Sequence, residues 1–303
     1  MVRKKVVITG SNGLLGQKLV KLFLTKPGYQ VFALSRGENR MLSATGYTYC
    51  NIDLLDTVRL RECIMEIGPH ALIHTAAMTN VDACEQQQEE CRRLNVDLVR
   101  EIAALCRETG THLVHLSTDF IFNGEKGSVY VEQDAPDPVN FYGITKWQSE
   151  EVVRNSGARY TIMRTILVYG NVDRRDRGNI VLWVKHSLEQ GKDINVVTDQ
   201  LRMPTLAEDL AEACWLAVSK PAYGVYHVSS CELMSIYEIA LAVADAYGLD
   251  KSLIHPVGTD DLHLPAKRPA STGFDLSRSI SDLGLPVYTF RERLQVYRDQ
   301  YDG

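Results

Sequence analysis

Apolar residues along this chain keep two rhythms that take turns. Short, nearly continuous aliphatic and aromatic runs at 6–9, 29–34, 47–52, 71–75, 112–116 and 160–163 predict buried strands. Between them, apolar residues recur every three or four positions, as on a helix with one face on a core. The first such stretch opens near Asn12, carries Leu15, Leu19, Val20 and Phe23 on one face, and stops at Lys26-Pro27-Gly28. Further helices are predicted over 55–67, 89–109 and 142–155. After Tyr169 the alternation loosens into helices over 179–190, 206–219 and 236–247 and strands over 194–197 and 225–228. The last sixty residues predict a smaller α/β unit.

Strands separated by helical crossovers pair in parallel, which predicts an α/β fold with a doubly wound sheet covered on both faces. In such sheets ligands bind beyond the carboxyl ends of the strands, so the chemistry is expected in strand-to-helix loops. The loop after the first strand reads Gly10-Ser11-Asn12-Gly13-Leu14-Leu15-Gly16, with glycines three apart. Glycine lets backbone approach a pyrophosphate, and the N–H groups of a helix N-terminus hold the anion. Glycines alone would describe an ordinary tight turn; their setting between the first strand and the first helix points to the dinucleotide site of a Rossmann-type domain. NAD sites usually carry a carboxylate at the end of the second strand, where this chain has Ser35-Arg36. Arg36 fits a 2′-phosphate, which favours NADP(H) and leaves NAD(H) as the alternative. Asp53, followed by Leu54, is placed to reach adenine or to cap the next helix.

Tyr142-Gly143-Ile144-Thr145-Lys146 puts a phenol and an amine four positions apart, on one face of a helix. A phenol of ordinary pKa, about 10, is a poor acid–base group at neutral pH, and a neighbouring ammonium is expected to lower that value. The spacing also describes a surface helix pair, but here it follows a strand ending Leu116-Ser117-Thr118-Asp119. Those hydroxyls stand where a substrate carbonyl would be held. Thr118 or Ser117 would donate to the carbonyl, Tyr142 would pass it a proton, and a nicotinamide would deliver hydride.

Composition narrows the partners. A formal net charge of -5 leaves no basic footprint for nucleic acid. No apolar run approaches the ~18 residues of a membrane span, and the opening segment lacks the apolar stretch of a secretory leader, so a cytoplasmic protein is expected. Cys50, Cys63, Cys84, Cys91, Cys106, Cys214 and Cys231 are dispersed without zinc spacing, and they are expected to be free, mostly buried thiols. No metal is expected, since no metal motif appears among the histidines.

Several motifs together carry a resemblance. They are His74-Thr75-Ala76-Ala77-Met78-Thr79-Asn80-Val81-Asp82, Leu94-Asn95, Ser117-Thr118-Asp119-Phe120-Ile121-Phe122-Asn123-Gly124 and Asn140-Phe141-Tyr142-Gly143-Ile144-Thr145-Lys146. Met163-Arg164-Thr165 with Val168-Tyr169-Gly170, Asp199-Gln200 with Pro204-Thr205, and Lys267-Arg268-Pro269 follow. In order and over nearly the whole chain they resemble the dTDP-4-dehydrorhamnose reductases, extended short-chain dehydrogenases/reductases that modify sugar nucleotides. The resemblance implies a Rossmann-type doubly wound parallel sheet with a smaller C-terminal α/β substrate-binding cap. Residues 1–170, with return segments over about 194–230, would bind NADP(H); residues 171–193 and 231–303 would form the cap. It also implies reduction of a 4-keto sugar on dTDP to dTDP-L-rhamnose with NADPH, for polysaccharide synthesis.

By the same resemblance Thr118 assists Tyr142, Asp119 is close to the sugar, and Lys146 also holds the nicotinamide ribose. Thr75, Ala76 and Ala77 would line the cofactor groove, with Asn95 and Ser117 in the same site and Thr79 on the substrate side. The chain departs from the family in two places. Leu167 stands where a tryptophan commonly lies against the substrate, and Arg202 stands where glycine is usual. Arg202 suits a diphosphate or a surface ion pair, and Arg268 a diphosphate or a structural carboxylate. Lys185, His186 and the run Asp173-Arg174-Arg175-Asp176-Arg177 read as a loop beside the site or as a plain solvated loop. Two other functions stay open. One is a silent NADP-binding subunit like the regulatory subunit of methionine adenosyltransferase, which resembles the same group; the other is a sugar-nucleotide epimerase or dehydratase. The family often forms homodimers, but no apolar surface stripe compels one.

Overall fold

Parallel strands buried on both faces need continuous apolar runs, and the runs read from the sequence form one sheet. The computed structural model describes residues 3–41, 45–173 and 178–301. Strands β1 (Lys4–Thr9), β2 (Tyr29–Ser35), β3 (Thr48–Asn51), β4 (Ala71–His74), β5 (His112–Thr118) and β6 (Tyr160–Thr165) are joined by helices α1 (Leu14–Thr25), α2 (Thr57–Ile67), α3 (Val81–Gln86), α4 (Gln88–Arg92), α5 (Leu98–Thr109) and α6 (Phe141–Asn155). Then come β7 (Val168–Tyr169), α7 (Ile180–Glu189), β8 (Ile194–Val197), β9 (Leu201–Arg202), β10 (Thr205–Leu206), α8 (Ala207–Ser219), β11 (Gly224–Val228), β12 (Met234–Ser235), α9 (Ile236–Tyr247), β13 (Ile254–Val257) and α10 (Phe290–Tyr301).

The seven-stranded sheet runs β11-β6-β5-β4-β1-β2-β3, with every pairing parallel. Alternation along β1 divides the core: Val6 and Ile8 pack with α1 and α8, while Val7 packs with α2, α5 and α6. Chain direction across the sheet reverses between β1 and β4, so a crevice opens at their carboxyl ends. A separate core of α7, α9 and α10, including Tyr169, Ile239, Phe290 and Tyr297, lies beyond that end. Ile121, Phe122, Tyr130, Ile166, Met203, Phe274 and Leu276 form a smaller cluster that holds segments from both halves of the chain.

Two elements differ from the pattern. The strand at 194–197, expected to return to the main sheet, pairs instead with β13 in a two-stranded sheet of its own, and the segment that does return is β11. The helix expected over 89–109 is interrupted: a π-helical turn, Arg93–Asp97, separates α4 from α5. Such turns mark functional positions often enough to direct attention to Asn95 inside this one.

Candidate active site

The turn between β1 and α1 is closed by the Gly13 N–H donating to the Gly10 carbonyl at 2.9 Å. A methyl group on Gly16 would collide with that carbonyl and with Ser11 Cα, so the turn admits no side chain there. No side chain caps α1, and its first N–H groups are left for another acceptor. Ser11 is fully buried, and its hydroxyl has no hydrogen-bond partner among the described residues. An uncapped helix N-terminus, a bare backbone cradle and an orphaned buried hydroxyl fit a phosphate anion. Thr75, Ala76 and Ala77 cross directly above: a Cβ on Gly10 would stand 2.8 Å from the Ala76 nitrogen, and Thr75 Oγ1 donates to the Thr9 carbonyl at 2.7 Å. Leu15 packs into the core below, and Leu14 faces Gly170.

At the far end of the crevice Asn12, named from the sequence, meets Tyr49, which was not. Asn12 Nδ2 donates to the Glu38 carbonyl at 2.9 Å and to Tyr49 Oη at 3.1 Å, while its Oδ1 accepts from the Arg40 N–H at 3.0 Å. Tyr49 itself donates toward the Ser35 and Gly37 carbonyls. Together they fix the loop that carries Arg36. The Arg36 guanidinium is 81% exposed and lies 3.6 Å from Asp53, so a carboxylate does stand near it, supplied by the third strand rather than the second. Asp53 does not cap α2; Asp56 does, and Leu54 is buried beside it in the core. Asn95 is 1% exposed and its amide is spent on the Met78 backbone N–H (2.9 Å) and carbonyl (3.0 Å), Cys91 Sγ and Thr145 Oγ1. It ties down the loop after Ala77, one of the segments expected to line the cofactor groove.

Tyr142 and Lys146 occupy the buried face of α6, whose first turn Asn140 caps by accepting from the Gly143 N–H at 2.8 Å. Lys146 Nζ donates to the Leu116 carbonyl at 2.6 Å. Burial lowers its pKa to about 8, against the pull of Glu150 and Cys91. Burial pushes the Tyr142 phenol up, with the Thr118 hydroxyl pulling it down and Asp119 adding to the rise. The lowered phenol expected from the Tyr–Lys spacing is therefore absent, because desolvation outweighs every neighbour. A raised value keeps the phenol protonated at neutral pH, which suits a proton donor.

Thr118 Oγ1 donates to Asp119 Oδ1 at 3.0 Å and accepts the Phe120 N–H at 3.2 Å. Ser117, one residue earlier on the strand and so on the opposite face, turns its hydroxyl toward Glu150. Of the two hydroxyls, that of Thr118 meets the Tyr142 phenol, while that of Ser117 faces Glu150. Behind Lys146, the fully buried rings of His74 and His115 stack with centroids 5.9 Å apart.

Asp119 is 1% exposed. Its Oδ2 accepts from Thr272 Oγ1 at 2.5 Å and lies 3.6 Å from Arg202 Nε. Burial raises its pKa, and Arg202 opposes the rise. Arg202 is itself buried and donates to the carbonyls of Leu201, Pro269 and Ala270. It is buried beside Asp119 and so does not form the surface ion pair. Arg268 reaches Asp82 at 2.8 Å and the Ala266 carbonyl at 2.7 Å, so the structural carboxylate is the partner it takes. Asn140 Nδ2 also donates to the Lys267 carbonyl at 2.8 Å. Thr79 is exposed just before α3. Leu167, half-buried between the two outer clusters, has φ +42°, a strained value for a branched residue. Residues 174–177 of the charged run lie outside the described residues, whereas Lys185 pairs with Glu189 at 2.7 Å.

A parallel switch-point crevice with a phosphate cradle, and a Thr–Tyr–Lys group at the end of β5, define an extended short-chain dehydrogenase/reductase. Residues 4–302 match the family model described as RmlD substrate binding domain, and the chain belongs to that family, the dTDP-4-dehydrorhamnose reductases. It is 32% identical to the spore coat polysaccharide biosynthesis protein SpsK of Bacillus subtilis over 97% of this chain and 96% of that one. It is 30% identical to methionine adenosyltransferase 2 subunit beta of Bos taurus, covering 93% of this chain and 83% of that one. The structure superposes with a TM-score of 0.87 on dTDP-4-dehydrorhamnose reductase from Bacillus anthracis, solved in complex with NADP; identity is 27%, with 99% and 100% of the two chains covered. Family and fold together make this a sugar-nucleotide reductase-type enzyme, an oxidoreductase.

Proposed function

We propose that this protein uses NADPH to reduce a nucleotide-linked 4-keto sugar, dTDP-4-dehydro-L-rhamnose, to dTDP-L-rhamnose. The observation that carries the reading is the placing of Thr118, Tyr142 and Lys146 at the end of β5, beside the uncapped, glycine-lined turn with its orphaned Ser11 hydroxyl. A bound nicotinamide supplies the hydride. The turn from Gly10 to Gly16 binds the pyrophosphate, Arg36 exchanges Asp53 for the 2′-phosphate, and Lys146 holds the nicotinamide ribose. Tyr142 gives its phenolic proton to the carbonyl oxygen, so that a ketone, a hydride and a proton become an alcohol. Thr118, anchored by Asp119, orients the phenol. The outer core built on α7, α9 and α10 is the substrate side.

NADPH oxidation followed by absorbance, with the dTDP keto sugar and with UDP- and GDP-linked keto sugars in parallel, tests the proposal. Turnover with the dTDP sugar is expected. Turnover only with another nucleotide would keep the mechanism and replace the substrate. Silence with every sugar while NADPH still binds would favour the non-catalytic role suggested by the 30% identical methionine adenosyltransferase subunit. A second expectation concerns Arg36→Ala: loss of a charge-assisted phosphate contact should weaken NADPH ~10- to 100-fold and leave NADH binding unchanged in fluorescence titration. Equal loss for both cofactors would place Arg36 elsewhere.

A further inference from the structure

One side-chain cluster close to the proposed site is not used by that mechanism. Glu150, one turn beyond Lys146 on α6, is fully buried, and Arg164 on β6 is 1% exposed. Arg164 grips the carboxylate with both arms, Nε to Oε1 at 2.9 Å and Nη2 to Oε2 at 2.8 Å. Arg154 adds a third bond to Oε2 at 3.2 Å. The remaining arm of Arg164 donates to the Glu132 carbonyl at 3.1 Å and faces His227 at 3.4 Å, and the guanidinium lies over the Phe122 ring.

Burying two full charges is costly, and a well-packed apolar pair often serves a fold equally well. The helix is already fastened to β5 by Ser149 bonding His115 and by Lys146 bonding the Leu116 carbonyl. What apolar residues could not supply is negative charge one helical turn from a buried ammonium. We propose that the Glu150 carboxylate, held ionised by Arg164, keeps Lys146 charged, so that the nicotinamide ribose is held across the neutral and mildly alkaline range. The proposal rests on the reading in which Lys146 binds that ribose.

The groups around the ammonium leave few rivals for this role. His74 on β4 and His115 on β5 are buried and neutral, their pKa values lowered by burial and by Lys146 itself. Tyr142 on α6 is held protonated, and Cys84 on α3 has a thiol pushed up by its bond to Cys91 and by burial. Cys91 on α4 is the rival acid, since its thiolate would act in the same sense as Glu150. Arg164 on β6 has a distinct task. Burial alone would protonate Glu150, but the paired guanidinium overcomes it and holds the carboxylate below its usual range. Loss of Arg164 should therefore mimic loss of Glu150.

The test is NADPH affinity between pH 6 and 9.5 for the wild-type protein, Glu150→Gln, Glu150→Asp, Arg164→Lys and Cys91→Ala. Wild-type affinity should fall above pH about 8, where Lys146 loses its proton. In Glu150→Gln that fall should move about one unit lower, giving roughly ten-fold weaker binding at pH 8.5 with little change at pH 6.5. Glu150→Asp, which restores the charge, should recover most of the profile, as should Arg164→Lys. A Glu150→Gln curve that superimposes on wild type, that is displaced equally at every pH, or that only Cys91→Ala reproduces would overturn the proposal. If Glu150→Gln does not fold, the two conservative variants decide it: profiles displaced equally at every pH mean a structural tie only. Absence of NADPH binding by the wild-type protein would instead remove the functional reading itself.

Discussion

Tyr142→Phe is expected to lower turnover of the keto sugar ~10²- to 10⁴-fold, the usual worth of a positioned proton donor, with NADPH affinity unchanged. The substitution removes one oxygen from a ring packed among Phe120, Phe141, Cys84 and Cys91, so the helix start and its Asn140 cap remain. Lys146 stays on the Leu116 carbonyl, because that bond does not involve the phenol. The hydride can still be delivered, but the developing alkoxide loses the phenol that would give it a proton. Single-turnover kinetics beside equilibrium titration separates the outcomes. Loss of rate alone assigns the proton to Tyr142; equal loss of cofactor affinity would mean that the ring shapes the crevice instead.

A steep loss of stability in mild acid is the second expectation. His74, His112, His115 and His227 are buried, and in each burial is the largest cause of a lowered pKa, to about 3 for His74 and His227 and about 4 for His112. In the unfolded chain these rings titrate at about 6.5. Below that pH the unfolded chain takes up protons the native protein refuses, so native stability declines as pH falls from 6.5 toward the native values and is unaffected above 6.5. Between pH 7 and pH 5 His74, His112 and His227 each cost about 2 kcal/mol, about 6 kcal/mol together, with His115 acting in the same direction, against the ~5–15 kcal/mol of an ordinary domain. The depressed carboxylate of Glu150 acts only lower, once pH approaches the ordinary range of Glu. Urea midpoints at pH 7, 6 and 5 should drop in step; a midpoint constant down to pH 5 would show that water or a counter-ion relieves the buried rings.

The sheet and its crevice were legible because each rests on a local requirement. A strand covered on both faces must be apolar throughout, and a turn that cradles phosphate must lack side chains. The Tyr–Lys spacing was legible for the same reason, since four positions on a helix fix a shared face. Its electrostatics were not, because burial of Tyr142 depends on residues from α3, α4 and the segment after β5 that no local pattern assembles. Ser117 and Thr118 illustrate the boundary. Strand alternation dictates that only one of them enters the pocket, but the choice is made by how β5 sits under α6. Asn12, Tyr49 and the Arg36–Asp53 pair come from three strands' ends, and Arg202 finds Asp119 from 83 positions away, so neither arrangement leaves a periodic trace. The π-turn at Asn95 was hidden because the apolar period continues through it.

The threading of the segment from Ala266 to Thr272 onto Asp82, Asn140 and Asp119 also has a bearing on how the protein is made. Thr272 is 153 positions after the carboxylate it satisfies. At ribosomal speeds of ~5–20 residues per second, strands β1 to β5, with the nucleotide turn after β1, emerge about 8 to 30 s before that hydroxyl. During the interval a nascent chain can acquire its dinucleotide cradle while Asp119 stays hydrated and Thr118 keeps other rotamers. Cofactor capture would precede catalytic competence in biosynthesis, and a newly made molecule would pass through a stage in which it holds nucleotide but transfers nothing.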